Sequence, residues 1–342
     1  MKKLFILIIL FGILNFILMG CTKSTSQPKN NSDLTIYTSI YPLQFAVEQI
    51  GGETVKVNSI YPPGVDAHTY EPASKDVTDI AKSDAFIYMG AGLEGFAESI
   101  ADALAREDVT LVEIGKHESL FAAANTHKNR PSHDKSSLSH DDEHSLPHEK
   151  INHSHDDEHD HSHDGHDHGG HDPHIWLDPL RMMEMSEIIK NQLVKLNPEQ
   201  QALYNQNFKQ LKKQLIKLDR DFQQVLHAKE NKHILVSHAA YGYWEERYGL
   251  EQIAISGISS SNEPSQKDLV HIIEQAKQYK LDYLIFEQNS SNRIAEIIQK
   301  HMDATAVTIH NLSTRTEKDI RNNEDYLSLM KQNLLILDKV TK

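Results

Sequence analysis

The sequence predicts an α/β protein of two similar lobes, each built on a parallel sheet, bridged by one long α-helix. Three observations carry this. Strand-like and helix-like runs alternate from Leu34 to Gly90 and again from His233 to Gln288, the pattern of parallel strands joined by crossover helices. A short motif recurs at matching places in the two stretches, Glu71-Pro72-x-x-Lys75-Asp76 and Glu263-Pro264-x-x-Lys267-Asp268. Between them lies a helical pattern with Leu211, Leu215, Leu218, Phe222 and Leu226 spaced by fours and threes, uninterrupted by Gly or Pro.

Leu34–Ile40 reads as a strand, Pro42–Gly52 as a helix closed by Gly, and Thr54–Pro62 as a second strand leading into the loop PPGVDAHTYEP. A helix opened by Ser74 with Asp76 in its first turn precedes the strand Ala85–Gly90. Met182–Leu196 is helical. Asn197-Pro198 marks a restart, and from Pro198 to about Lys229 a single helix of about nine turns is expected. The rival reading of that stripe is a coiled-coil seam, for which it is short of four clean heptads. Then come the strand His233–His238, a helix ended by Gly249, the strand QIAISGI, the helix QKDLVHIIEQAKQYK and the strand Asp282–Gln288. The implied organisation is a first lobe over 33–180, a helical segment over 181–230 and a second lobe over 231–342. At 342 residues and 39% hydrophobic, the chain has material for two modest cores.

The N-terminus reads as a targeting segment. Lys2 and Lys3 precede the apolar run Leu4–Met19, which is short for a transmembrane helix, and the run ends in Leu18-Met19-Gly20-Cys21. This resembles a bacterial lipoprotein signal over 1–20, with Cys21 lipidated and the polar segment 21–32 as a tether. The competing reading is an uncleaved signal anchor. Cys21 is the sole cysteine, so neither an internal disulfide nor a thiolate ligand is available. The expected location is the outer face of the bacterial cytoplasmic membrane. A net charge of −14 argues against nucleic acid and fits attraction of cations.

Most of the 22 histidines lie between Thr126 and Asp172, in a tract of His, Asp, Glu, Ser and Gly. Imidazoles and carboxylates bind borderline divalent metals, so the tract signals transition-metal chemistry. Its composition predicts a disordered loop hung from the first lobe, with His153, His155, His159, His161, His163, His166, His168 and His171 as weak accessory ligands. The ordered site is sought elsewhere, at strand ends and the loops after them. His68 sits in the rigid loop Pro62–His68. His174 lies where the tract gives way to Ile175-Trp176-Leu177, with Asp172 or Asp178 available to orient its ring. His238 ends the run Ile234-Leu235-Val236, and Glu287 ends Tyr283–Phe286, where a buried carboxylate needs a partner. Each alone has an ordinary alternative: an exposed loop His, the close of the tract, a core His, a Glu paired with Lys or a helix N-terminus. Together they offer three nitrogens and one oxygen, a tetrahedral set for Zn²⁺.

At these residues the chain resembles the zinc-binding members of the cluster A-I (cluster 9) solute-binding proteins. The matching pieces are Gly64-Val65-Asp66-Ala67-His68-x-Tyr70-Glu71-Pro72, Asp172–Pro179, Ser237-His238-x-x-Tyr241-x-Tyr243 and Phe286-Glu287-x-Asn289. The resemblance covers Leu34 to the C-terminus. It implies a metal between two bridged lobes, His68, His174, His238 and Glu287 as ligands, and a membrane permease with a cytoplasmic ATPase as partners. Manganese members are similar but carry carboxylates at the third and fourth ligand positions. Here the third is His238, which favours zinc, as does the His-rich insertion. A monomeric, non-enzymatic zinc-delivery lipoprotein is therefore expected. The alternatives are a manganese-binding counterpart, a surface adhesin or metal buffer, and a metallohydrolase. For the last, no His-Glu-x-x-His occurs, and the pairs His140/His144 and His155/His159 lie in the low-complexity tract.

Overall fold

The structure is a computed structural model, and it describes residues 33–122, 171–259, 264–288 and 293–342. The signal segment, Cys21, the tether and all the accessory histidines but His171 lie outside the described residues.

Two four-stranded parallel sheets form the frame, one per lobe. In the first lobe the elements are β1 (Leu34–Thr38), α1 (Tyr41–Gly51), β2 (Val55–Ser59), α2 (Ser74–Ile80), β3 (Ala85–Tyr88), α3 (Ala97–Leu104) and β4 (Thr110–Glu113). Then come α4 (Pro179–Leu196) and α5 (Gln201–His227). The second lobe holds β5 (His233–His238), α6 (Gly242–Tyr248), β6 (Glu251–Ser256), α7 (Gln266–Gln278), β7 (Tyr283–Glu287), α8 (Arg293–Met302), β8 (Thr305–Ile309), α9 (Glu317–Arg321) and α10 (Tyr326–Val340). The spatial strand orders, β2-β1-β3-β4 and β6-β5-β7-β8, are the same arrangement used twice. Parallel neighbours require crossover connections, which explains the alternation along the chain. All four residues of β3 are buried, as expected of a strand covered on both faces.

The repeated motif has a local physical role. In the first lobe the Asp76 carboxylate accepts the N–H of Ala73 at 2.8 Å, and in the second Asp268 accepts that of Ser265 at 3.0 Å. Each acidic residue sits at the third helical position and ties down the entry to α2 or α7. In α2 the cap is Ala73, whose backbone is extended at φ −77° and ψ 155°, and Ser74 is already helical. Gly249 closes α6 in the left-handed region, φ 71°, as its place after the helical run predicts.

The bridging helix is shorter than expected. Pro198–Gln200 form a 3₁₀ turn, and the α-helix proper has 27 residues, roughly 40 Å of rise. Its buried face contains all five residues of the sequence stripe, together with Tyr204, Phe208 and Asp219. That face packs on α1, α4 and α10, so the stripe is used within this chain and leaves no coiled-coil seam. The cores also differ from expectation. One apolar cluster runs from Leu34 to Val340 through both lobes, and a smaller one of Leu235, Ile253, Ile255, Ile272, Leu284 and Ile298 with its neighbours stabilises the outer face of the second sheet. Among the described residues, no helix is long and apolar enough to cross a membrane.

Candidate metal centre

His68, His174 and His238 converge. The Nε2 atoms of His68 and His174 lie 3.3 Å apart, and those of His174 and His238 lie 3.4 Å apart. Among the described residues this is the one group of three or more such side chains whose ligand atoms all lie within 4.8 Å of one another. Tetrahedral coordination at the usual Zn–N length places neighbouring nitrogens about 3.3 Å apart. Both separations to His174 match that spacing.

Each histidine is presented by a different device. His68 comes after the turn at Gly64 and has its backbone N–H bonded to Asp66 Oδ1 at 2.8 Å. His174 is 1% exposed and precedes a 3₁₀ turn whose Ile175, Trp176 and Leu177 are fully buried. His238 is the last residue of β5, 2% exposed, at the carboxyl end of a strand as the sheet rule predicts.

Asp172, not Asp178, orients His174. Its Oδ1 accepts from His174 Nδ1 at 2.7 Å and from the His174 N–H at 3.0 Å. With the proton on Nδ1, the Nε2 lone pair faces the cluster. Asp172 is itself held by Tyr243, whose hydroxyl donates to its carbonyl at 2.6 Å. Gly242 makes room for it: a Cβ there would lie 2.9 Å from Asp172 Oδ2. Asp178 instead caps α4, accepting the Leu180 N–H at 2.8 Å, and pairs with Arg247 at 2.6 Å and Arg181 at 3.3 Å.

Glu287 is placed differently from the histidines. It is 8% exposed and its Oε1 forms an ion-pair contact with Nδ1 of His238, on the ring edge away from the cluster. Tyr241 donates to Oε1 at 3.3 Å, and Asn311 Nδ2 donates to Oε2 at 2.6 Å. The convergent set thus has three members, and Glu287 stands directly behind one of them. Burial would pull His238 down, but the Glu287 carboxylate outweighs it and raises the imidazole above its ordinary range. Reciprocally, burial pushes Glu287 up, yet His238 and the Asn311 hydrogen bond hold it below the usual carboxylate range. His68 goes the other way: burial, with His174 and His238 beside it, pushes it down to about 4, so it is neutral near pH 7. The three imidazoles thus face one point, with Asp172 behind His174 and Glu287 behind His238, an arrangement that could hold a divalent cation.

His171, the last tract histidine, is not part of the cluster. It is exposed, stacks on Phe121 at 4.7 Å and lies 3.2 Å from a Glu118 carboxylate oxygen. Tyr241 and Tyr243 lie in one of the matching pieces of sequence but carry no assigned role there, and Gly242 and Asn311 are not assigned a role by sequence pattern either. Only Asn311 carries a usable signal, its place two residues beyond the end of β8.

The family described as zinc-uptake complex component A, periplasmic, matches residues 36–340. Zinc-binding lipoprotein AdcA of Streptococcus pneumoniae is 28% identical over 341 residues, covering 100% of this chain and 61% of that protein. The chain thus spans about three fifths of the length of that relative. The high-affinity zinc uptake system protein ZnuA of Bacillus subtilis is 26% identical over 313 residues, 92% of this chain and 89% of that one. Among solved structures, the Zn(II)-bound ZnuA-like domain of S. pneumoniae AdcA superposes with a TM-score of 0.66 at 27% identity, covering 90% and 99% of the two chains. The laminin-binding adhesin of Streptococcus agalactiae superposes at 0.70 with 26% identity, covering 90% and 100%.

Proposed function

This chain belongs to the zinc-uptake complex component A family, and on that premise we propose that it captures one Zn²⁺ between its lobes and delivers it to a membrane permease driven by a cytoplasmic ATPase. The observation that carries the reading is the convergence of three Nε2 atoms at the spacing of a tetrahedral zinc site. The donor set favours zinc over manganese, since nitrogen at His238 stands where an oxygen-preferring ion would want a carboxylate.

Glu287, whose Oε1 stands against Nδ1 of His238, is assigned the fourth vertex, which its carboxylate reaches by turning from that contact. What supports this is its burial beside the cluster and its charge, which acts on both His68 and His238. A site closed by four protein ligands holds its ion as cargo and leaves no vertex for a reacting water, so no hydrolytic role is assigned. The lipid anchor is placed at Cys21, on the outer face of the cytoplasmic membrane, from the apolar run and the lone cysteine. The tract over 126–172 serves as an accessory that binds further ions weakly and raises their local concentration, and the protein acts as a monomer.

The test is zinc titration of the chelator-stripped chain by calorimetry. It is run on the wild type, on a variant lacking residues 127–170, and on His238→Ala. One tight site that survives the deletion and is weakened at least a hundredfold by His238→Ala supports the reading. A tight site lost with the tract and indifferent to His238 overturns it.

A further inference from the structure

The loop after β8, Asn311–Arg315, belongs to the second lobe by connectivity but is bonded to the first. Trp176 Nε1 donates to the Asn311 carbonyl at 2.8 Å, and the Tyr41 N–H to that of Ser313 at 2.8 Å. The Gly64 N–H donates to the Arg315 carbonyl at 2.9 Å, and Thr314 Oγ1 to that of Val65 at 2.9 Å. The Arg315 guanidinium lies 4.3 Å over the ring of Tyr41. Three of these grips fall on the two segments that carry first-lobe histidines: Gly64 and Val65 precede His68, and Trp176 lies two residues after His174. At the loop's centre Leu312 is fully buried with φ +63°, a left-handed conformation that costs energy for a Leu and persists only where surrounding contacts enforce it.

Asn311 has its polar groups committed. Its Oδ1 accepts from Gln288 Nε2 at 2.8 Å, from the Ser313 N–H at 3.0 Å and from Ser313 Oγ at 2.8 Å. Its own N–H donates to Gln288 Oε1 at 2.9 Å. These bonds fix the amide so that Nδ2 points at Glu287 Oε2, 2.6 Å away.

We propose that Asn311 is a positioning residue for the metal site, fixing the Glu287 carboxylate while its own loop grips the backbone beside His68 and His174, so that assembling the site and closing the lobes are one event. The inference rests on the zinc reading above and extends it to a residue that touches no ion. Asn311 is preferred to Tyr241, the other donor to Glu287, because its contact is shorter and its loop also bonds the first lobe. Outer partners of metal-site side chains are worth about ten- to a hundredfold in affinity.

The experiment uses the full chain purified in detergent, with zinc alone as the ligand and affinity read by competition against a chromogenic chelator. The proteins are wild type, Asn311→Ala, Asn311→Asp, Glu287→Ala and the double variant Asn311→Ala/Glu287→Ala. Asn311→Asp keeps the Oδ1 acceptor that orders the loop and replaces the donor to Glu287 by an oxygen that repels its carboxylate, so it displaces that carboxylate and carries the test if the alanine variant misfolds. The expected result is a loss of about tenfold or more in both single Asn311 variants. In the Glu287→Ala background the further loss falls below about twofold, because a residue acting through another has nothing left to act on. The visible spectrum of bound Co²⁺ in Asn311→Asp moves toward that of Glu287→Ala. An Asn311 cost that persists undiminished without Glu287, or affinities and Co²⁺ spectra equal to wild type, overturns the inference alone. A wild type with no tight zinc site overturns the reading beneath it, and the inference with it.

Discussion

Asp172→Ala isolates the carboxylate that aims His174. In the native chain one oxygen takes both His174 Nδ1, at 2.7 Å, and the His174 N–H, at 3.0 Å. A charge-assisted bond of this kind fixes both the ring and its tautomer. Removing it leaves a nearly fully buried imidazole free to carry its proton on Nε2, the atom that faces the ion. Zinc must then displace that proton and reorient the ring. Comparable losses around metal-bound histidines cost about ten- to a hundredfold in affinity, or about 1.4 to 2.8 kcal/mol. The segment should stay docked, since Tyr243 bonds the Asp172 backbone carbonyl and not the side chain. Chelator competition gives the affinity, and thermal unfolding of the metal-free chain gives the fold. Asp172→Asn, which retains an uncharged acceptor, should fall between. Zinc affinity within twofold of wild type in Asp172→Ala refutes the orienting role. So does a loss matched by an equal fall in metal-free stability.

Gly242→Ala puts a methyl 2.9 Å from Asp172 Oδ2 at a helical position with no positive φ. Zinc affinity should drop several-fold while the metal-free melting temperature holds or rises slightly, as Ala is the better helix residue; unchanged affinity in a chelator competition sinks the argument. His68 is held low and stays neutral, whereas His238 is held high by Glu287, so His238 is the ligand whose proton zinc must displace. A raised pKa starts proton competition at higher pH, so affinity should fall as pH drops through the His238 titration, approaching about tenfold per unit for one proton. Glu287→Gln should shift that onset to lower pH, and an onset that does not move contradicts it. Arg247→Met removes the 2.6 Å partner of buried Asp178. Breaking such a pair typically costs about 3–5 kcal/mol, so the urea midpoint of the metal-free chain should fall sharply, and an unmoved midpoint refutes the role given to this pair.

The alternation of strands and helices is legible in the sequence because each burial surface imposes its own period on the chain. The stripe from Leu211 to Leu226 names the buried face of α5 correctly, since its neighbours lie along the whole helix. Two features are not legible. The first turn after Asn197-Pro198 tightens to 3₁₀, a choice made by local hydrogen bonding that apolar spacing does not report. The joining of the lobes into one core is the other. It arises where α1, α4, α5 and α10 meet, with Phe45 stacked 5.4 Å from Tyr326 across nearly the full length of the chain. No window of sequence contains both partners.

The site divides along the same line. His68 and His238 can be picked out because strand ends and the loops after them collect ligands in open parallel sheets, a rule that needs only element order. Asn311 obeys the same rule but is inconspicuous, because an amide is an unremarkable loop residue until its partner is known. The hardest discrimination lies at the end of the acidic, His-rich tract. His171 and His174 are three residues apart and compositionally alike, yet one lies exposed on Phe121 and the other is buried at the cluster. The apolar triplet immediately after His174 separates them. Ile175, Trp176 and Leu177 have enough apolar surface to anchor the chain in the core, and Trp176 reaches Asn311 across the lobes. His174 takes a fixed place because its neighbours supply the burial energy that holds it still. The tract, by composition, has almost no such residues.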